Sequence, residues 1–267
     1  MMDVVERNER NAALGAKIKR RIRANRIVGL IRFRDHFSSS GGKNSWSLCG
    51  YPMYYWPIRA AYRSSYLEKI LVWTEVESAR EVLAPFSDRV ILMERTVEQC
   101  REPTWRTVDD LKRPDSRVDV STNAEPYNVL HGKIRDALDF EPTIIVRFSA
   151  DYPLTRAETF DRVVERYFGD DVAEECRAMT VAPQYLWQHH PEHPEWLVRT
   201  GFSNHANRRQ VMPFIYTPAS PYIITYPWCG MKRVAYVLVP FSEAVDVHTK
   251  DDLELAEFYM RKRLGGG

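Results

Sequence analysis

The sequence holds no apolar run approaching the roughly 20 residues needed to span a bilayer, and its first residues, MMDVVERNER, are polar and acidic. A transmembrane anchor and a secretory leader are therefore not expected, and a soluble, cytoplasmic protein is. Charge of one sign is also missing. Lys and Arg number 38 against 36 Asp and Glu, a net charge of +2. That balance argues against a dedicated nucleic-acid binder or a membrane-surface binder. Cysteine is sparse: Cys49, Cys100, Cys176 and Cys229 lie far apart, with no CxxC pair. Four free thiols are the expected state, because a chain of this length buries enough core without disulfide staples. There is no GxxxxGK[ST] phosphate loop, no GxSxG nucleophile turn and no internal repeat.

What is present is ordinary globular composition, 44% hydrophobic and 28% charged over 267 residues. It suits one large or two small domains. Aromatics are plentiful, with 7 Trp, 14 Tyr and 11 Phe. They gather in two places, Tyr51–Trp56 and the stretch from Tyr185 to Trp228.

Residues 1–26 read as a basic helical arm, with Lys17, Lys19, Arg20, Arg21, Arg23 and Arg26 beside Leu14, Ile18 and Ile22 at helical spacing. This is an anion or partner patch, or a solvated helix face with a thin apolar stripe. Residues 27–264 read as a single α/β domain. Apolar strands are predicted at 27–31, 69–74, 89–93 and 143–148. Helices are predicted at 53–67, 76–83, 126–138 and 157–168, and this alternation implies a mostly parallel sheet covered on both faces. After residue 169 the pattern changes. Residues 183–228 are rich in Pro, His and aromatics and read as a loop or antiparallel excursion. Strands at 221–226 and 234–239 precede a C-terminal helix capped by Thr249, with Asp251 and Asp252 in its first turn.

Four clusters could carry chemistry. The loop after the first strand holds Arg32, Arg34, Ser38, Gly41, Gly42, Lys43 and Asn44. Small residues let backbone approach a phosphate, and the cations neutralise it. By itself such a stretch reads equally well as a flexible surface loop. Asp151 follows the fourth strand, where ligands of open α/β sheets sit. It is placed either to hold Mg²⁺ against a triphosphate or to cap the next helix. Asp246 and His248 alternate on one face of an extended segment and could complete a split metal site with Asp151. His189, His190 and His193 invite a zinc reading but lack a fourth ligand nearby.

In order along the chain, several segments resemble one family, the CMP-sugar synthetases that activate sialic acid and KDO, together with spore-coat polysaccharide cytidylyltransferases. LCGYPMYYWPIRAAYRSSYLEKILVWTE is similar to the family's LxGKPLIxYTIxxAxxSxxxDxIxVSTD. VRFSADYPLTRAETFDRVV is similar to RxTxDCPLxxPExID, RRQVMPFIYTPASPYII to RQxxPxxYxxNGAIYI, and AVDVHTKDDLELAE to xIDIDTxxDLxLAE.

The resemblance implies a nucleotide-diphospho-sugar transferase-like, Rossmann-like fold. It also implies a Mg²⁺-dependent reaction of CTP with a small-molecule acceptor that releases pyrophosphate. Arg34, Lys43 and Asn44 match the nucleotide loop, which Arg32 and Ser38 extend. Asn123 and Glu125 fall where family members approach the base. Asp151 and Asp246 match metal-holding carboxylates. Arg209 and Gln210 match the acceptor-binding pair, with Tyr222 and His248 on the acceptor side. A homodimer is implied, with the excursion reaching the partner's site. The sequence departs from the family at Ser38, where a Lys is usual, and at His248, where an Asp is usual. Those departures leave open a catalytically altered nucleotide-binding scaffold or sensor with the same fold.

Overall fold

A computed structural model describes residues 4–36, 41–100, 124–181, 187–189, 197–199, 216–224 and 233–265. Side chains are not described at 4–11, 124–129, 131, 187–189, 197–199 and 224. The helices are α1 (Val4–Arg23), α2 (Tyr55–Tyr62), α3 (Ala79–Leu83), α4 (Ala124–Ala137), α5 (Ala157–Phe168) and α6 (Lys250–Leu264). The strands begin with β1 (Ile27–Arg32), β2 (Ser47–Leu48), β3 (Tyr51–Pro52), β4 (Lys69–Thr74), β5 (Val90–Glu94) and β6 (Ile144–Phe148). They continue with β7 (Glu175–Val181), β8 (Trp187–His189), β9 (Leu197–Arg199), β10 (Tyr216–Ile224) and β11 (Val234–Leu238).

Seven strands form one sheet in the order β11-β7-β10-β6-β1-β4-β5. β1, β4, β5 and β6 run parallel, and β11 runs parallel to β7. β10 runs antiparallel to both β6 and β7. The pairs β2–β3 and β8–β9 are separate antiparallel ribbons. Sequence explains the centre of the sheet. A parallel strand covered on both faces must be apolar throughout, and Ile27–Ile31 and Ile70–Thr74 are buried without a break. Gly29 is the small residue in β1, and a Cβ there would come within 3.2 Å of both Leu67 and Phe148 side chains.

One face of the sheet packs on α2 and α5 through Ile58, Phe160, Val163 and Val164, with Ile18 and Ile22 of α1 joining the same core. On the other face, Leu130 and Ile134 of α4 cover Val28, Leu30, Leu71, Trp73 and Met93. A third cluster joins Leu48, Met53, Trp56 and Leu154 to Val245, Val247, Ala256 and Met260, and so ties α6 to the end of the sheet. α1 is also clamped by Lys17 and Arg21 on Asp171 and by Arg21 on the Phe168 carbonyl, so two members of the basic run hold the helix down.

The strand–helix alternation read from the sequence is present through α5, and the sheet is mostly parallel. Of the seven strands in the main sheet, β7 is missing from the sequence reading, as are the short strands of the two separate ribbons. The buried side of β7 alternates Cys176, Ala178 and Thr180, small residues that give a weak apolar signal, with charged neighbours at Glu175 and Arg177. What makes it a strand is pairing with β10 and β11. The extended segment at 244–248 belongs to no sheet, yet it keeps strand-like alternation, with Val245 and Val247 buried. Among the described residues no helix is long and apolar enough to cross a membrane. The cysteines described, Cys49, Cys100 and Cys176, are free thiols.

Candidate active site

β1 lies between β4 and β6, and the chain leaves it towards β4 and returns across it to β6. This reversal opens a crevice at the carboxyl ends of the central strands. Four segments meet there: residues 33–36 and 41–46 after β1, Glu75 after β4, Ser149–Tyr152 after β6, and residues 245–248 before α6.

The loop after β1 is fixed at both ends. At its start, the backbone N–H groups of Asp35 and His36 donate to Glu75 Oε1 at 2.7 and 2.9 Å. The Ser45 hydroxyl donates to Asp35 Oδ2, and the Asn44 side-chain amide donates to the Arg34 carbonyl at 2.6 Å. Gly42 takes φ +72° against the Asp35 side chain, a left-handed conformation that glycine adopts without a Cβ penalty. The chain then enters a short 3₁₀ turn, Lys43–Ser45, which buries Lys43 to 6% exposure.

Lys43 Nζ reaches across the crevice. It stands 2.9 Å from Asp151 Oδ1 and donates to His248 Nδ1 at 2.9 Å and to the Val247 carbonyl at 3.2 Å. An ammonium can only donate, so His248 Nδ1 accepts, and the ring hydrogen belongs on Nε2. That atom lies 3.0 Å from Asp246 Oδ1, an oxygen that accepts no hydrogen bond from the described residues. Asp246 Oδ2 accepts from the Tyr152 hydroxyl at 3.0 Å. Burial and the Asp246 charge both push the Tyr152 phenol well above its ordinary pKa, so it stays a donor. Ligand atoms of Asp151, Asp246 and His248 lie within 4.8 Å of one another, the one such group among the described residues.

Backbone contacts hold these side chains in place. The Val247 N–H donates to the Asp151 carbonyl at 2.9 Å, which locks residues 245–248 beside the end of β6. Thr249 caps α6 in a capping box with Asp252, and Asp252 Oδ2 also accepts from the His248 N–H at 3.0 Å. Burial pushes the Asp252 carboxyl up, but the donors from Thr249 and His248 outweigh it and leave the group below its ordinary value.

The structure thus brings together Lys43, Asp151, Asp246 and His248 from the sequence-derived set, with Asn44 in the wall of the loop. Arg32 ends β1 exposed to solvent. The Arg34 guanidinium donates to the Cys100 carbonyl. Tyr222 lies on β10 with the Arg177 guanidinium 4.9 Å over its ring, in register with Arg147 of β6. Glu125 is in the first turn of α4, its side chain outside the description. Ser38, Asn123, Arg209 and Gln210 lie outside the described residues, as do the side chains of His189, His190 and His193 and most aromatics of the 183–228 stretch.

Sequence reasoning missed Tyr152, Glu75, Asp35 and Arg95. Glu75 and Tyr152 each follow a predicted strand within segments already matched to the family, so their position was the available signal. Arg95 follows β5. Its guanidinium stacks 4.7 Å over Trp73 and donates to the Gln99 carbonyl at 3.2 and 2.8 Å. Burial lowers its pKa, and the neighbouring Arg32 and Arg34 charges lower it further. The carboxyl ends of β1 and β5 therefore share a cationic field.

No family model matches the sequence, and no curated protein matches it. Solved structures do. The chain is similar to 4-diphosphocytidyl-2C-methyl-D-erythritol synthase from Anaerococcus prevotii, at 10% identity and TM-score 0.58, over 90% of this chain and 98% of that one. It is similar to CMP:2-keto-3-deoxy-manno-octonic acid synthetase complexed with CTP, at 14% identity and TM-score 0.54, over 89% and 99% of the two chains. Another 4-diphosphocytidyl-2C-methyl-D-erythritol synthase matches at 11% identity and TM-score 0.55, over 88% and 99%. The chain has the nucleotide-diphospho-sugar transferase-like fold expected from its sequence.

Proposed function

We propose that this chain is a nucleotidyltransferase that moves CMP from CTP to a small-molecule acceptor and releases pyrophosphate. The observation that carries this reading is the Lys43–Asp151–Asp246–His248 cluster at the carboxyl ends of β1 and β6. It sits in a fold shared with cytidylyltransferases, one of them bound to CTP. In this reaction the acceptor oxygen forms a bond to the α-phosphorus, and the bond from that phosphorus to the bridging oxygen of pyrophosphate breaks. Little covalent work falls to the protein, and positioning and charge neutralisation dominate.

Lys43 is the buried cation of the site and neutralises charge on the triphosphate. It is delivered by a loop that Glu75 and Asn44 already hold in shape, so little ordering is left for the moment of binding. Arg32, Arg34 and Arg95 supply the positive field on the β4–β5 side. Tyr152 keeps Asp246 oriented through its hydroxyl.

The site residues fit Mg²⁺ in part. That ion takes oxygen ligands and retains several of them from water and substrate phosphate. Asp151 and Asp246 offer such oxygens, and Asp246 Oδ1 is a buried acceptor without a hydrogen bond from the described residues. His248 offers nitrogen, a poor match for Mg²⁺, and its Nδ1 is turned to Lys43. Asp151 and Asp246 would hold the ion, which would supply charge neutralisation on the phosphates. His248 acts as their neighbour, orienting Lys43.

A homodimer is part of this reading. Val234, Tyr236 and Leu238 of the sheet-edge strand β11 are each more than 40% exposed, an apolar row suited to a second copy. Light scattering that returns the monomer mass removes it.

The test is pyrophosphate release from CTP with Mg²⁺ and a panel of sugar acids, sugars, phosphonates and phosphorylated small molecules. Release with one acceptor class supports the proposal. CTP binding by calorimetry with no release for any acceptor favours a nucleotide-binding scaffold of the same fold. Neither binding nor release overturns both.

A further inference from the structure

A helix that serves one core needs one apolar stripe, and α6 carries two. Leu253, Ala256 and Met260 face the cluster built on Leu48, Met53 and Trp56. On the opposite side of the helix Leu255 is 37% exposed and Phe258 is 60% exposed. Asp251 stands four positions before Leu255 and Lys262 four positions after Phe258, and both are exposed. At about 3.6 residues per turn these four side chains fall on one line along the helix. The line reads acid, apolar, apolar, base, with the same spacing from either end. Arg261 is engaged by Glu257 at 2.9 Å, whereas Asp251 and Lys262 have no ion-pair partner among the described residues.

Each part of this line has a local use. An acid in the first turn and a base in the last favour the helix dipole, and a Leu–Phe pair three positions apart steadies any helix. Neither use requires the four residues to share a line centred on one point. That symmetry singles out a partner. When a second α6 is turned about a two-fold axis between Leu255 and Phe258, the two helices run antiparallel. Leu255 then meets Phe258 of the partner subunit, and Asp251 meets Lys262 of the partner subunit, at both ends at once. Each ion pair lies about 8 Å along the helix from the axis. Apolar contact occupies the centre and charge the rim, the usual anatomy of an interface.

We propose that the outer face of α6 docks a second copy of this chain through an antiparallel pairing of the two α6 helices. The contact is separate from the β11 row, since β11 ends the main sheet on one side while α6 packs over Leu48, Met53 and Trp56. It does not depend on the nucleotide chemistry. It does place the sites, because α6 begins at the Thr249 cap, one residue after His248. In an antiparallel pair the two caps, and the crevices beside them, stand at opposite ends of the helix pair.

The α6 contact doubles whatever assembly the rest of the chain makes, so the test is the mass of the full chain by sedimentation across a concentration series. Phe258→Glu should halve the wild-type mass with the melting temperature little changed, because the side chain is exposed. Charge reversal is sharper. Asp251→Lys sets lysine against Lys262 of the partner subunit at both ends, and should weaken association at least about tenfold. Lys262→Asp should do the same. Asp251→Lys combined with Lys262→Asp restores both ion pairs with their polarity reversed, and association should return. A purely local role at the helix ends predicts the reverse, because the double variant opposes the dipole at both ends and would be the least stable of the three. Phe258→Glu decides if the double variant does not fold. A wild-type mass of one chain, an unchanged mass for Phe258→Glu, or a folded double variant that stays dissociated overturns the α6 pairing. An unchanged mass for Phe258→Glu in a dimeric wild type assigns the dimer to another face and leaves the transferase reading standing.

Discussion

Two carboxylate pairs flank β1, and they are built differently. Asp151 and Asp246 are partly open to solvent, face a buried ammonium and a phenol, and converge with His248 within 4.8 Å. Asp35 and Glu75 are held by backbone N–H groups and a serine hydroxyl, with no facing cation at hydrogen-bond distance among the contacts described. Within the second pair the two carboxyls titrate in opposite directions. Burial pushes Glu75 up, but three backbone N–H donors and the Cys100 thiol outweigh it and bring the group below its ordinary value. Asp35 ends above its ordinary value, because burial and the Glu75 charge outweigh the Ser45 hydrogen bonds. The first pair suits a cation that arrives with substrate. The second suits neutral N–H donors. One loop serves both: Glu75 holds its start, and its end delivers Lys43 to Asp151.

The largest effect that would break this contrast is on turnover. Asp151→Asn keeps the side-chain volume and removes the charge facing Lys43 and the proposed ion. Pyrophosphate release should fall by about a thousandfold, the scale of losing one electrostatic contact in a preorganised site, with the melting temperature little changed. Full activity would take Asp151 out of the site. The second pair should respond in stability instead. Glu75→Ala strips the acceptor from two loop N–H groups, and denaturant unfolding should show a loss of about 1–3 kcal/mol. A loss no larger than a surface substitution would mean that the loop does not depend on Glu75.

Next in size is the cap. Thr249→Ala removes the α6 capping box, at a cost of about 1 kcal/mol. It also loosens the Asp252 contact to His248, so turnover should fall as well as stability. Loss of stability alone would separate the cap from the site.

The smallest effect is on pH dependence. Glu75 has a lowered folded pKa, so its contribution is complete above its ordinary value of 4.5 and is lost as pH falls through the lower folded value. Asp35 has a raised folded pKa, so it carries a penalty at neutral pH. That penalty is relieved as pH falls through the folded value and is gone below the ordinary 3.8. Unfolding titrations of Glu75→Gln and Asp35→Asn against wild type should therefore diverge in opposite directions at pH 7 and converge in strong acid. Parallel curves would show that the two carboxyls share one environment.

How legible these pairs were in the sequence follows from how each is made. Asp151, Asp246 and His248 sit just past apolar segments whose period assigns their faces, and the alternation of Val245 and Val247 held even though the segment joins no sheet. Glu75 and Asp35 sit in equivalent places, but nothing local distinguishes a carboxylate that accepts loop N–H groups from one that is merely solvated. Tyr152 was hidden for a related reason, because a tyrosine beside a proline turn reads as packing until its hydroxyl is seen on Asp246.

The sequence by itself determined the parallel centre of the sheet, the span of α5, the Thr249 cap and the loop that carries Lys43. Each is written in local periodicity or in the chemistry of neighbouring residues. The tertiary structure decided that Lys43 meets His248, 205 positions away, and that Asp35 and His36 close on Glu75, about 40 positions on. It also decided that β7 becomes a strand between β10 and β11. Strand order sets these contacts. Periodicity says which face a side chain takes, while strand order says which neighbour it finds there.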